Sequence, residues 1–277
     1  MVERGGIESS SRSKRPLISL EKMVEFDLHL GMQSRLWNPK MSPFIVQNHK
    51  YKKRHIISLQ KTIQHLDSIY SYLFDLSRSG LEIMLVASRN KVISEIVRDA
   101  AQRVNAFYIT HRWLGGLLTN FKQVNKTLKI LTELDDMLQK EDISKQLTKK
   151  EILQLKKKKL KIEKNYAGIK GLTKLPNVLI VFNPVNDLIS IQEANKMEIP
   201  VVGVVNSNNN PELINFVIPA NNTSPKSIYL IANLLCDAIA EAVGQNTVIA
   251  YKEDSEIVLP KHLEIITSVP LQERTTH

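Results

Sequence analysis

Two stretches of this chain crowd together side chains able to move protons, hold phosphates or stack on planar rings. Residues 111–116 read His-Arg-Trp-Leu-Gly-Gly and continue through Thr119, Asn120 and Phe121 to Lys122. His111 is of the residue type that serves as a general base, but no serine, cysteine or carboxylate lies near it in sequence, so catalysis has no second member. Phosphate contact suits the segment better. His111, Arg112, Asn120 and Lys122 can all donate to phosphate oxygens, while Gly115 and Gly116 either make a turn or admit close backbone approach. Earlier, His29-Leu30-Gly31 precedes Arg35-Leu36-Trp37-Asn38-Pro39-Lys40-Met41. Arg35 and Lys40 are candidate phosphate contacts, Asn38-Pro39 sets a turn, and Trp37 either stacks on a base or covers the core. Just beyond, Lys50, Lys52, Lys53 and Arg54 surround Tyr51. Cations interleaved with an aromatic ring favour RNA over plain solvation.

Other chemistries lack their signatures. A nucleotide-binding α/β protein needs glycines after its first strand, and here Ala87-Ser88-Arg89-Asn90-Lys91 stands in that place. Neither the dinucleotide glycine pattern nor a P-loop occurs anywhere, so no cofactor is expected. The single cysteine, Cys236, excludes an internal disulfide or a multi-cysteine zinc site. It lies among Leu234, Leu235, Ile239 and Ala240, which reads as a small buried hydrophobe. The formal charge of +10 and a pI near 9.5 favour a polyanionic partner. No apolar run approaches the roughly 20 residues that span a bilayer, so no membrane is expected. The serine-containing start has no apolar centre of the secretory kind. A cytoplasmic location or an organelle interior fits these features.

The elements that would position these residues alternate. A helix begins at Ser58 and runs through Leu59, Ile63, Leu66, Tyr70 and Leu73 to Gly80; residues 82–87 are strand-like. A helix built on Val92, Ile96, Val97, Ala100 and Val104 follows, then a strand at 107–110. The alternation resumes with a strand at 177–182, a helix at 188–196, strands at 201–205 and 216–218, and a closing helix stopping at Gly244. Strands alternating with helices predict a parallel, helix-covered sheet. Between the halves, Phe121, Val124, Leu128, Leu131 and Leu138, with Leu134 beside them, predict a coiled-coil-like helix. Thr148 and Glu151 fit a capping box for its returning partner, whose stripe is Ile152, Leu155, Ile162, Tyr166 and Ile169. Residues 142–147 would be the tip. The returning helix carries Lys149, Lys150, Lys156, Lys157, Lys158, Lys159, Lys161 and Lys164 against Glu151 and Glu163. Such a run is commonly a solvated face. On an arm with little core of its own, it also suits anchoring on phosphates, with Lys156 to Lys159 as candidates.

The same segments resemble a known family. His29, Gly31, Arg35, residues 37–41, residues 111–116 and Thr119-Asn120 resemble the bacterial small-subunit ribosomal protein S-two family. Asn183-Pro184, Glu193-Ala194, residues 199–202, Ile218-Pro219 and Asn221 continue the likeness in the family's order, over residues 18–243. Met32, Leu36, Asn183, Asn206 and Asn208 depart from the residues common in the family. The asparagines replace carboxylates, which weakens any hard-cation site there, and no metal is expected.

The resemblance implies a flavodoxin-like parallel sheet covered by helices, with an inserted coiled-coil hairpin. It also implies a non-enzymatic constituent of the small ribosomal subunit, present as one copy with no homo-oligomer. Small-subunit ribosomal RNA and neighbouring ribosomal proteins are its implied partners, protein S-one among them, in support of translation initiation. The expected organisation is an N-terminal tail (1–17), a discontinuous α/β domain (18–120 and 170–244), the hairpin (121–169) and a C-terminal tail (245–277). Two rivals remain from the residues alone: an α/β enzyme binding a nucleotide or sugar phosphate, and a coiled-coil adaptor acting through protein contacts.

Overall fold

A computed structural model describes residues 16–88, 90–139, 148–261 and 263–264. Most of the expected N-terminal tail (1–15), the hairpin tip (142–147) and the chain beyond 264 lie outside the described residues.

Ser19 accepts the Lys22 N–H on its Oγ at 3.0 Å and so starts a short helix, α1 (Leu20–Glu25). Three strands follow, β1 (Leu30–Gln33), β2 (Ile45–Tyr51) and β3 (Arg54–Ile57), forming an antiparallel sheet in the order β1-β3-β2. The sequence suggests only a surface segment here. Tight 3-10 turns at Ser34–Leu36 and Pro39–Phe44, the second containing Pro39 and Pro43, interrupt the strands before any alternation can build up.

The expected alternation is then realised. Its elements are α2 (Leu59–Arg78), β4 (Ile83–Val86), α3 (Lys91–Arg103), β5 (Phe107–Ile109), α4 (Phe121–Gln139), α5 (Lys149–Tyr166) and β6 (Val178–Val181). They continue with α6 (Leu188–Lys196), β7 (Val201–Val205), β8 (Phe216–Pro219) and α7 (Pro225–Ala242). Ser58 stands at the start of α2 without a side-chain cap bond. The five later strands pair in parallel in the order β5-β4-β6-β7-β8, the order of a flavodoxin-like sheet.

Each central strand is apolar throughout because both of its faces are covered. Ile83 and Leu85 of β4 pack with Val178 and Ile180 of β6 beneath α2, α3 and α7. Met84, Val86, Leu179 and Val181 face the other way, toward α6, the 113–118 loop and the first turns of α4. Helix α7 lies against both α2 and α3, which is why it is apolar nearly all round. Helices α4 and α5 pack on each other, with Val124, Leu128, Leu131 and Leu134 buried. The capping box is present: Thr148 N–H donates to Glu151 Oε2 at 2.8 Å, and Glu151 N–H donates to Thr148 Oγ1 at 3.4 Å.

The described residues that follow Gly244 do not behave as a tail. Ile249, Ala250, Ile257, Leu259 and Leu263 are buried in the main core. At the other end, Leu17 and Ile18 are buried beside them. No periodicity marks the C-terminal segment, and the amides at its start are gathered by a single side chain. Asp237, fully buried on α7, accepts N–H bonds from Val248 (3.0 Å), Ile249 (2.7 Å) and Ala250 (2.8 Å), and the Arg103 guanidinium at 2.7 Å. Replacing Asp237 with Ala would orphan three amides and strip the Arg103 guanidinium of its counter-charge, at a cost of about 3 kcal/mol. The expected outcome is a lower urea midpoint together with fast amide exchange at residues 248–250; unchanged exchange there would show that other contacts hold the segment.

Candidate nucleic-acid interface

A loop can present side chains to a partner only if its own backbone is held. The 111–120 loop leaves the carboxyl end of β5, and one carboxylate organises it. Glu193, on the buried side of α6 next to Ala194, accepts from Trp113 Nε1 (3.1 Å) and from the N–H groups of Gly116 (2.7 Å), Leu118 (3.0 Å) and Thr119 (3.4 Å). Gly116, at φ 89°, makes the turn that aims these amides inward. Trp113 is therefore core, packed among Leu117, Leu118 and Ile109. His111, Arg112 and Asn120 remain exposed on the outside of the loop, and Lys122 is exposed on the first turn of α4.

The second cluster is built on the antiparallel sheet. Ser34 donates through both its N–H and its Oγ to the carbonyl of Lys53, each at 2.9 Å, which brings Arg35 beside the β2–β3 turn. Lys52 and Lys53 occupy that turn with left-handed backbones, and the Lys52 ammonium lies 5.3 Å from the Tyr51 ring centroid. Arg54 is half-buried behind them. Trp37, neither core nor free, is 39% exposed and tilts against His55 with ring centroids 5.1 Å apart. Lys40 is exposed and forms an ion pair with Glu212. The loop after β7 ties the cluster to the body, since Met32 N–H donates to Ser207 Oγ and Asn38 N–H to the Ser207 carbonyl, both at 2.8 Å. The two clusters stand on opposite sides of the sheet's carboxyl end, with β4 and β6 between them.

The lysine run divides. Lys156, Lys157 and Lys158 are exposed on α5, whereas Lys159 is half-buried and turned toward Asp135 of α4 at 2.8 Å. Lys170 pairs with the same carboxylate, which is almost wholly buried. Lys159 first, and Lys170 with it, hold the Asp135 carboxyl below the ordinary carboxylate range.

The crevice where a flavodoxin-like sheet takes its ligand, between β4 and β6, is bridged by the chain's own side chains. Asp187, buried after β6, accepts the Ser88 N–H at 3.2 Å and the Ser88 hydroxyl. A phosphate there would meet the Asp187 carboxylate, bonded to the turn after β4 in which a nucleotide-binding protein carries its glycines. Burial pushes the Cys236 thiol up to about 12, so it stays protonated and unreactive. Among the described residues, no group of three potential metal ligands comes together, and no helix is long and apolar enough to cross a membrane.

Sequence reading gave Glu193 no role beyond its place in the family likeness and passed over Asp187, Asp135, Asp237 and Ser207. For two of them a signal was available, because Glu193 falls on the apolar side of its helix and Asp237 is the lone acid in an apolar run.

These features define a class: an α/β scaffold of flavodoxin strand order whose ligand crevice is closed by its own side chains and whose anchored loops carry the exposed cations. The family described as Ribosomal protein S2 matches residues 23–242. The small ribosomal subunit protein uS2 of Ureaplasma parvum serovar 3 is 42% identical over 253 residues, covering 91% of this chain and 72% of that protein. Those of Mycoplasma genitalium (41%; 90% of this chain, 87% of the relative) and Geotalea uraniireducens (40%; 86% and 91%) are similar to the same extent. The chain belongs to the ribosomal protein S2 family.

Two outcomes test the geometry. Glu193→Ala leaves several buried donors unpaired and is expected to cost about 3 kcal/mol, with red-shifted Trp113 emission and faster exchange at residues 116–119. Retention of the native emission would mean that packing alone shapes the loop. The Asp135 pair stabilises the folded chain above the ordinary carboxylate pKa, and that contribution is lost as pH falls through the depressed value. Acid titration of the melting temperature is expected to show this loss in the native chain and a smaller one in Asp135→Asn; parallel profiles would contradict it.

Proposed function

We propose that this protein is a non-catalytic structural constituent of the small ribosomal subunit that binds the subunit's RNA and neighbouring ribosomal proteins. The observation that carries this reading is the similarity, over 86–91% of the chain, to proteins named as small ribosomal subunit proteins. The distribution of positive charge supports it. Arg35, Lys52, Lys53 and Arg54 form one RNA contact, with Trp37 at its side; His111, Arg112, Asn120 and Lys122 form a second. Lys40 contributes to the first by exchanging Glu212 for a phosphate. Lys156, Lys157 and Lys158 make a third contact on an arm (121–169) that we read as a coiled-coil hairpin inserted into one α/β body, with Lys159 bracing the arm against Asp135.

Each contact works by displacing condensed counterions from phosphates, and the carboxylates behind the loops fix where the cations stand. One copy sits on each subunit, on cytoplasmic ribosomes. By the family resemblance, its neighbours include protein S-one, and its position supports initiation. The nucleotide-enzyme alternative is disfavoured by the carboxylate of Asp187 in the crevice.

The protein is expected to co-sediment with small subunits at moderate salt and to dissociate as salt rises. Replacing Lys156, Lys157 and Lys158 with Gln is expected to lower the slope of log affinity against log salt by about 0.7–0.9 for each phosphate no longer neutralised. An unchanged slope would return these lysines to a solvated face, and recovery only in ribosome-free fractions would overturn the reading.

A further inference from the structure

Beside the 111–120 loop lies a feature that none of the residues discussed so far requires. Helix α3 presents Lys91, Ser94, Glu95 and Arg98 along one face, at spacings of three and four residues. This face and the segment Thr110-His111-Arg112 enclose a cleft of about 720 Å³. A second cleft, of about 520 Å³, continues from it between β5 and the end of α5, where Leu160, Glu163 and Lys164 form the far wall. The two share Arg98, Thr110 and His111 and so make one groove. Its base depends on Gly168. A Cβ at that residue would stand 2.2 Å from the Tyr108 carbonyl and 2.5 Å from its ring, so only glycine lets the chain after α5 lie directly on β5.

We infer that this groove seats a run of the RNA sugar-phosphate backbone, with Arg98 as its central contact. The inference rests on the proposed function and adds Lys91, Arg98 and Lys164 to its RNA contacts. The placement of charge favours a chain of phosphates over a single anion. Lys91 and Arg112 line only the first cleft, Lys164 only the second, and Arg98 both, so the cations are strung along the groove. A mononucleotide site would instead gather its donors around one point. Glu95 and Glu163 each stand in one cleft and offset part of this charge; four cations against two carboxylates still leave the groove positive. The contact of Arg98 with Asp99 uses Nε at 3.2 Å and is solvent-exposed, so it competes weakly with a phosphate. Leu160, 63% exposed at the rim, offers an apolar surface to sugar or base.

The test uses the full chain and a transcript of small-subunit ribosomal RNA. Lys91→Gln, Arg98→Gln and Lys164→Gln combined are expected to weaken binding and to reduce the salt slope by about 0.7–0.9 for each phosphate that goes unpaired. Acetylation of the unaltered protein gives a second readout that does not depend on how the variant folds. Lys91 and Lys164 are expected to be protected by the transcript, and Lys196, at the other end of the sheet, is expected not to be. If the native chain binds with salt sensitivity but the slope and the acetylation pattern are unchanged, the groove is overturned and the proposed function stands. A native chain without salt-sensitive binding overturns both. Equal protection by a mononucleotide at matched phosphate concentration would overturn the groove as a backbone site.

Discussion

A carboxylate removed from water has to be given hydrogen bonds or a counter-charge, and the surface of this protein is arranged around four such groups. Glu193 gathers the amides of the 113–119 loop, Asp187 binds Ser88, Asp237 holds the 248–250 amides with Arg103, and Asp135 joins α4 to Lys159 and Lys170. Each converts an irregular or projecting segment into part of a rigid body, which is the condition for presenting cations in fixed places.

That arrangement follows from the sheet. A parallel sheet covered on both faces leaves only the loops at its strand ends for recognition. In nucleotide-binding relatives of this architecture, glycines hold the crevice open for phosphate. Here Asp187 closes it, and positive charge stands instead to either side, at Arg35 with Lys52 and Lys53 and at His111 with Arg112. The same strand order thus serves as a platform with its charge outermost, suited to a partner larger than the protein.

Much of this was legible in the chain. The runs at 83–86, 178–181 and 201–205 are apolar throughout because they are buried on both faces, and the Thr148-Glu151 pair marked a helix start that the structure contains. The antiparallel sheet was not legible because two of its three strands have only four residues and a proline-containing turn separates the first strand from the second, so no period builds up. The fate of residues 245–264 was hidden for another reason: a buried acid thirteen positions or fewer upstream holds their first amides. The exposed cations could be nominated from residue type alone, but their pairing could not. Lys40 meets Glu212 and Lys159 meets Asp135 only in three dimensions.

The most direct test of the central claim, that rigidly held loops carry the charge which docks this chain on RNA, is a residue-resolved RNA–protein crosslinking map from assembled small subunits. Crosslinks to ribosomal RNA concentrated at Arg35, Lys52, Lys53, His111, Arg112 and Lys156–Lys158, with none along α7, are the predicted result. Assembled subunits whose RNA crosslinks avoid both loop clusters and the α5 lysines would contradict it.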